Sequence, residues 1–226
     1  MEKIAVKQLV ARNYQAAEAF KTLRTNLQFS GEEVSVVALT SFGPSEGKST
    51  ISFQLAASLA EAGKRVLLMD VDLRKSTLAS RLKISGKAKG LSHCLAGHAA
   101  LNDIMLETDV PGLFVVPAGI RVPNSAELLG GKNFKRMVQA LRNVFDYVIL
   151  DAAPLGQVID CAVIAAEMDG VVMVVDANNN SYKLENRVKD QIHKAGGKVL
   201  GVVLNHVDYG SKKGYYGKPY GVGYEK

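Results

Sequence analysis

Residues 43–50 read Gly-Pro-Ser-Glu-Gly-Lys-Ser-Thr, between an apolar run at 34–40 (VSVVALT) and a helical pattern that begins near Ser49. A glycine-rich turn from a buried strand into a helix N-terminus is an anion cradle, because backbone N–H groups converge there and the positive end of the helix dipole lies behind them. Lys48 can reach the β- and γ-phosphates of a nucleoside triphosphate, and the Ser49 hydroxyl can ligate Mg²⁺. Gly43, Pro44, Ser45, Glu46, Gly47, Lys48, Ser49 and Thr50 are therefore the expected nucleotide-binding loop. Its first half is irregular: six residues before the lysine, where the motif has a small residue, stands Phe42. That ring is expected to pack beside the loop.

Phosphoryl transfer asks little covalent chemistry of a protein. The γ-phosphate, the metal and the acceptor oxygen must be held in line while spreading charge is neutralised. Two further runs supply carboxylates for this. LLMDVDLR (67–74) places Asp70 at a strand end and Asp72 two residues on, followed by Arg74; VILDAAP (148–154) places Asp151 at another strand end, with Pro154 stopping the run. A lone strand-end aspartate is more often a turn former or a cap. Two of them in a chain that already carries a phosphate loop read as metal-positioning residues.

These groups must be positioned by the elements around them. Short Val/Leu-rich runs fall at 34–40, 65–70, 113–119, 146–151, 170–177 and 198–205, separated by helical patterns at about 49–62, 132–144, 160–168 and 182–195. Continuous apolar strands alternating with helices predict an α/β fold in three layers, with a mostly parallel central sheet and helices on both faces. Several runs end in Asp70, Asp151, Asp176 or Asn205, at the carboxyl edge where ligands of open parallel sheets bind. Asn205 accordingly joins the expected nucleotide-binding residues.

Before this core, Ala16, Phe20, Leu23 and Leu27 recur at helical spacing. Glu18, Lys21 and Arg24 form a charged stripe on the other face, which by spacing alone is a solvated face. After His206 the periodicity ends. Residues 208–226 are rich in Gly and hold Tyr209, Tyr215, Tyr216, Tyr220 and Tyr224, five of the chain's eight tyrosines. The expected organisation is an N-terminal helical element at 1–30, a core at 31–207 and a flexible tail at 208–226.

Length, charge and cysteine usage bound the rest. The 226 residues, 47% hydrophobic and 22% charged, describe one globular domain with an ample core. The net charge of +6 comes from dispersed lysines and arginines without interleaved stacking aromatics, so no nucleic-acid partner is expected. No apolar run approaches the ~20 residues needed to span a bilayer. The N-terminus also lacks a secretory signal's apolar core. A cytoplasmic chain is expected, brought to the membrane's inner face only by a partner. Cys94 and Cys161 form no CxxC pair and read as small buried hydrophobes. His93, Cys94 and His98 lack the second ligand pair of a zinc site.

The combination of GPSEGKST, LLMDVDLR, VILDAAP and a terminal tyrosine cluster resembles the bacterial tyrosine kinases (BY-kinases), the P-loop kinases of capsule and exopolysaccharide synthesis. The likeness extends to EAFKTLRTNL (18–27), PNSAELL (123–129) and GVVLN (201–205), so it covers nearly the whole chain. It implies ATP as substrate, Mg²⁺ held by Ser49, Asp72 and Asp151, and Thr50 on the α-phosphate. Lys48, Asp70 and Asp72 would be catalytic, with Asp70 the favoured acceptor of the phenolic proton. The five tail tyrosines would be the phosphoacceptors, modified in trans. Glu18, Lys21 and Arg24 would match an oligomerisation motif, giving a homo-oligomer or ring. A membrane-embedded activator of the polysaccharide export system and a cognate phosphotyrosine phosphatase are the implied partners. Three departures stand out: Phe42 and Ser45 in the loop, Lys21 where arginine is usual, and Ala152 where threonine commonly follows the aspartate.

Two other functions compete. A partitioning or division-site ATPase switch would carry a second lysine five residues before Lys48, where this chain has Gly43. A nucleotide-binding scaffold without turnover would not need Lys48 and all three carboxylates.

Overall fold

A computed structural model describes residues 3–11, 13–84, 88–178 and 181–208. The apolar runs form strands β2 (Val36–Ser41), β3 (Val66–Asp70), β5 (Leu113–Val116), β6 (Tyr147–Asp151), β7 (Gly170–Asp176) and β8 (Val199–Asn205). Two short strands join them, β1 (Lys3–Ile4) and β4 (Leu106–Thr108). The sheet order is β1-β4-β5-β3-β6-β2-β7-β8, parallel except for the β4–β5 pair. This is the expected three-layer α/β architecture with two additional edge strands.

Strands β2, β3 and β6 are buried along their whole length, which is why they read as unbroken apolar runs instead of alternating ones. Alternation reappears in where the side chains go. Val36, Ala38, Leu67, Met69, Val148 and Leu150 enter the core on one face, while Val37, Leu39, Val66, Leu68 and Ile149 enter the other.

The second face is covered by α2 (Lys48–Glu61) and, outside it, α1 (Tyr14–Gln28). Helix α2 is buried nearly all round; Leu55 and Leu59, fully buried, each contribute about 1.5–3 kcal/mol by leaving water. Helix α1 starts at Asn13, whose side chain accepts the Ala16 N–H at 2.7 Å. It buries Leu27 and half-buries Phe20 and Leu23 on the apolar side expected.

On the other face lie α6 (Ser125–Gly130), α7 (Lys132–Arg142), α8 (Asp160–Ala165) and α9 (Tyr182–Lys194). In α7, Phe134, Met137, Val138 and Leu141 are buried at spacings of three and four. The shorter helices α3 (Leu78–Arg81), α4 (Leu91–Leu95) and α5 (Leu101–Ile104) fill the crossover between β3 and β4.

The first thirty residues, expected as a separate oligomerisation element, are also woven into the core. Strand β1 pairs with β4, Val6 is completely buried, and Asp109 accepts the N–H groups of Val6 and Lys7 at 2.6 and 2.8 Å. Gln54 of α2 clasps the same segment, donating to the Leu9 carbonyl and accepting the Ala11 N–H. The tail tyrosines Tyr209, Tyr215, Tyr216, Tyr220 and Tyr224 lie outside the described residues.

Candidate functional site

The phosphate loop joins β2 to α2, and the acidic motifs end β6, which pairs with β2, and β3, the next strand beyond it. Asp70 and Asp151 are register partners across the β3–β6 pair. Neighbouring strands are roughly 4.8 Å apart, so the two carboxyls leave the sheet side by side. This edge opens into one cavity of about 190 Å³, lined by Gly43, Pro44, Ser45, Gly47, Lys48, Ser49, Asp72 and Asp151 among others.

Lys48 is the hub. Its ammonium sits 2.7 Å from Asp151 Oδ1, both side chains being less than a tenth exposed. Burial works against the charged amine, but the Asp151 charge and hydrogen bond outweigh it, with Asp70 and Asp72 adding, and the pKa ends raised. Ser52, one turn along α2, also donates to Asp151 Oδ1 at 3.2 Å.

Asp70 lies behind this layer. It is fully buried, takes the Ser76 hydroxyl and the Asp72 N–H, and does not line the cavity. Burial, then the charge of Asp151, pushes its carboxyl well above the usual carboxylate range. Asp72 stands on the cavity wall, with Oδ1 accepting the N–H groups of Arg74 and Lys75 at 3.2 and 2.9 Å.

Other expected residues take different posts. Glu46 is buried and braces the loop from inside, Oε1 accepting the Gly43 N–H at 2.6 Å. Asn205, at the end of β8, donates to the Glu46 carbonyl at 2.9 Å, supporting the loop from outside the cavity. Gly47 has φ +88°, and a Cβ there would meet Asn205 Nδ2 at 2.0 Å, so both the backbone and the close approach require glycine. Thr50 is exposed and accepts from Arg81 at 2.9 Å, beyond the cavity lining. Phe42 packs against the core and against Gly156 in the loop after β6, where a Cβ would lie 2.3 Å from the Phe42 carbonyl oxygen.

The charged stripe on α1 is divided. Glu18 and Lys21 pair with each other at 2.7 Å on the exposed side. Arg24 instead donates into α2, to the carbonyl and hydroxyl oxygens of Ser58 at 2.8 and 3.3 Å.

Some residues of the site had no motif to announce them. The cavity wall also includes Lys75, Thr77, Arg81, Gln157 and Val158. Glu185 of α9 has a carboxyl pushed up to about 7, by burial first and then by the charge of Glu46. Among the described residues neither of its oxygens has a hydrogen-bond partner.

The donor set suits a hard divalent cation. Ser49, Asp72 and Asp151 offer only oxygen on the wall of one cavity. Among the described residues no three acidic, histidine or cysteine side chains form a metal cage by themselves. That is how Mg²⁺ is commonly held, through one or two carboxylates and the substrate's phosphates. His93 is occupied otherwise, its Nδ1 accepting the Gly90 N–H at 3.1 Å. Cys161 is fully buried with its thiol pushed up to about 11 by burial, and Cys94 is half-buried. Among the described residues no helix is long and apolar enough to cross a membrane.

Comparison with known proteins gives a consistent result. The family model described as the AAA domain matches residues 34–196. The tyrosine-protein kinase CpsD of Streptococcus agalactiae is 45% identical over 206 residues, spanning 89% of this chain and 90% of that protein. The crystal structure of the VpsO kinase domain is 34% identical with a TM-score of 0.80, covering 86% of this chain and 95% of that one. The septum site-determining protein MinD of Pyrococcus horikoshii, complexed with Mg-ADP, has a TM-score of 0.66 at 22% identity over 80% of this chain and 72% of that one. That likeness is one of fold.

Proposed function

The chain belongs to the AAA-domain family and, within it, to the bacterial protein-tyrosine kinases, and on that premise we propose that it phosphorylates the tyrosines of its own C-terminal segment in trans. It transfers phosphate from ATP to tyrosyl protein. The observation that carries the reading of the site is the Lys48–Asp151 pair, set in one cavity with Ser49 and Asp72.

In the proposed mechanism the loop N–H groups and Lys48 hold the β- and γ-phosphates. Ser49 and Asp151 would hold Mg²⁺, which when bound neutralises charge on the phosphate oxygens and leaves Asp72 for the proton. The phenolic oxygen attacks the γ-phosphorus, the bond to the β–γ bridging oxygen breaks, and ADP leaves. A phenol of pKa near 10 stays protonated at neutral pH, so a carboxylate must take its proton. The wall position favours Asp72 over Asp70 for that role, with Asp70 fixing the Asp72 backbone from behind.

Each phosphotyrosine adds roughly −1.5 to −2 charges, opposing the lysines of the C-terminal segment. In this reading the exposed Glu18–Lys21 pair serves contact between copies in a homo-oligomer, and Arg24 anchors the helix that presents it. A membrane-embedded activator brings the chain to the membrane's inner face, a phosphatase resets it, and the cycle regulates capsular or exopolysaccharide synthesis and export. Family membership supports these last assignments.

The test is phosphosite mapping of the full chain with Mg-ATP, beside Lys48→Met and a chain lacking residues 209–226. Phosphate is expected on several of the five tail tyrosines of the wild type, on none of them in Lys48→Met, and nowhere on the shortened chain. Steady ATP hydrolysis with no phosphotyrosine, even with an activator present, would instead favour a division-site-type ATPase switch.

A further inference from the structure

Arg74 follows the second motif aspartate and lines the same cavity as Lys48 and Asp151. Its guanidinium is clamped on one edge. Nε donates to Asp160 Oδ2 at 2.8 Å and Nη2 to Asp160 Oδ1 at 3.0 Å, 86 residues away in sequence. Asp160, at the start of α8, is 1% exposed, and the fully buried Ser125 of α6 donates to it at 2.6 Å. The arginine side chain itself remains 35% exposed. A buried carboxylate, held by a buried hydroxyl from a second helix, thus grips a partly exposed arginine on the wall of a phosphate-transfer site.

An ion pair serving stability alone would gain little here. Removing a carboxylate from water costs several kcal/mol, which a partner still in contact with water repays poorly. The arrangement makes sense as preorganisation. A guanidinium carries five N–H donors in a rigid fork. Two are taken by Asp160 and one reaches the Pro123 carbonyl at 3.5 Å. The remaining N–H groups of Nη1 and Nη2 form the distal edge, a spacing that matches two oxygens of a phosphoryl group.

We propose that Arg74 is a further catalytic residue, binding oxygens of the phosphoryl group as it passes to the phenol, and that Asp160, with Ser125, is the positioning residue that aims it. As the bond from the phenolic oxygen to phosphorus forms and the bond to the β–γ bridging oxygen breaks, charge grows on the equatorial oxygens, and Arg74 meets it from the cavity wall it shares with Lys48. The phenolic proton goes to the carboxylate on the wall, as in the mechanism above. Arginine is required, because the ammonium of lysine cannot hold Asp160 with one edge and a phosphoryl group with the other.

The experiment uses the full chain with saturating Mg-ATP and measures total phosphotyrosine formation, on the chain itself and on a Glu-Tyr copolymer. ATP affinity by calorimetry and thermal unfolding are measured alongside. Arg74→Lys and Asp160→Asn are each expected to lower kcat roughly tenfold to a hundredfold while ATP affinity stays within about twofold. The double variant should be no worse than Arg74→Lys alone, because the two residues act as a unit. The proposal is overturned if Asp160→Asn keeps the wild-type rate, if its loss of rate follows a loss of ATP affinity, or if the two losses multiply in the double variant. Should Asp160→Asn unfold, Arg74→Lys carries the test, since wild-type kcat in that variant refutes the role by itself. Wild-type phosphotyrosine on the copolymer separates failure of this inference from failure of the tail-phosphorylation reading.

Discussion

Replacing Lys48 with methionine should do more than silence the enzyme; it should destabilise the ligand-free protein, by an amount the site's geometry sets. The Lys48–Asp151 contact is 2.7 Å long between side chains 9% and 2% exposed. At an effective dielectric near 20 the gross attraction at that distance is about 6 kcal/mol. The desolvation already spent on both groups offsets much of this in the wild type. Deleting only the lysine leaves Asp151 buried beside Asp70, its register partner, with no cation between them. Breaking a buried pair from one side typically costs about 3–5 kcal/mol. For a chain of this size that corresponds to a fall in Tm of about 6–20 °C. The assay is thermal unfolding by circular dichroism at pH 7, without nucleotide or Mg²⁺. The control is Lys48→Met combined with Asp151→Asn, which removes the orphaned charge and should recover about half of the loss or more. A single variant whose Tm matches the wild type, or a double variant no more stable than the single, would refute the view that Lys48 compensates the buried Asp151 side chain.

Two further predictions concern carboxyls that the fold holds against their solution preference. The Asp70 carboxyl is raised by burial and by Asp151, so the folded state binds its proton more tightly than the unfolded state, and stability falls as pH rises above the ordinary aspartate range through the folded pKa. Asp70→Asn keeps an acceptor oxygen for the Asp72 N–H and turns the Ser76 contact into one in which the amide donates to the hydroxyl, while removing that loss; its Tm advantage over the wild type should grow from pH 4 to pH 8, and an advantage independent of pH would contradict the account. Glu185, raised to about 7 by burial and by Glu46, has the same sign in a different window. Glu185→Gln should match the wild type near pH 5 and exceed it in Tm at pH 8, and equal melting at both pH values would refute that assignment.

The catalytic motifs were legible because each is a local chemical statement. A glycine-rich turn ending in Lys48-Ser49 and two apolar runs ending in aspartate announce phosphate and metal without knowledge of the fold. The long strands were legible for a related reason: a strand buried on both faces has no choice but a Val/Leu run, and β2, β3 and β6 fall within a residue or two of their expected bounds. What sequence could not show was which atoms face the cavity. Asp70 and Asp72 are two residues apart on one motif, yet one is sealed in and the other lines the wall. Glu46, Asn205 and Thr50 belong to the right motifs and still stand outside the cavity lining, because the loop's own backbone needs bracing and Gly47 leaves Asn205 room to provide it. Arg24 reads as a solvent-facing charge but turns inward, because the carbonyl and hydroxyl oxygens of Ser58 near the end of α2 lie within its reach. Asp160 and Ser125 meet Arg74 only through the tertiary fold, with no sequence period linking them. The two- and three-residue strands β1 and β4 are too short to carry a pattern.

Phe42 and Gly156 have a consequence for how this enzyme can vary. The phenyl ring and the backbone carbonyl of residue 42 occupy the space that any side chain at 156 would need. The carbonyl oxygen stays whatever residue opens the phosphate loop, so shrinking the ring alone would not make room at 156. A side chain there would push the loop that cradles phosphate against the loop that carries Pro154 and Gln157. Position 156 is thus tied to glycine by the path of the phosphate loop's backbone, and position 42 is the freer of the two to change.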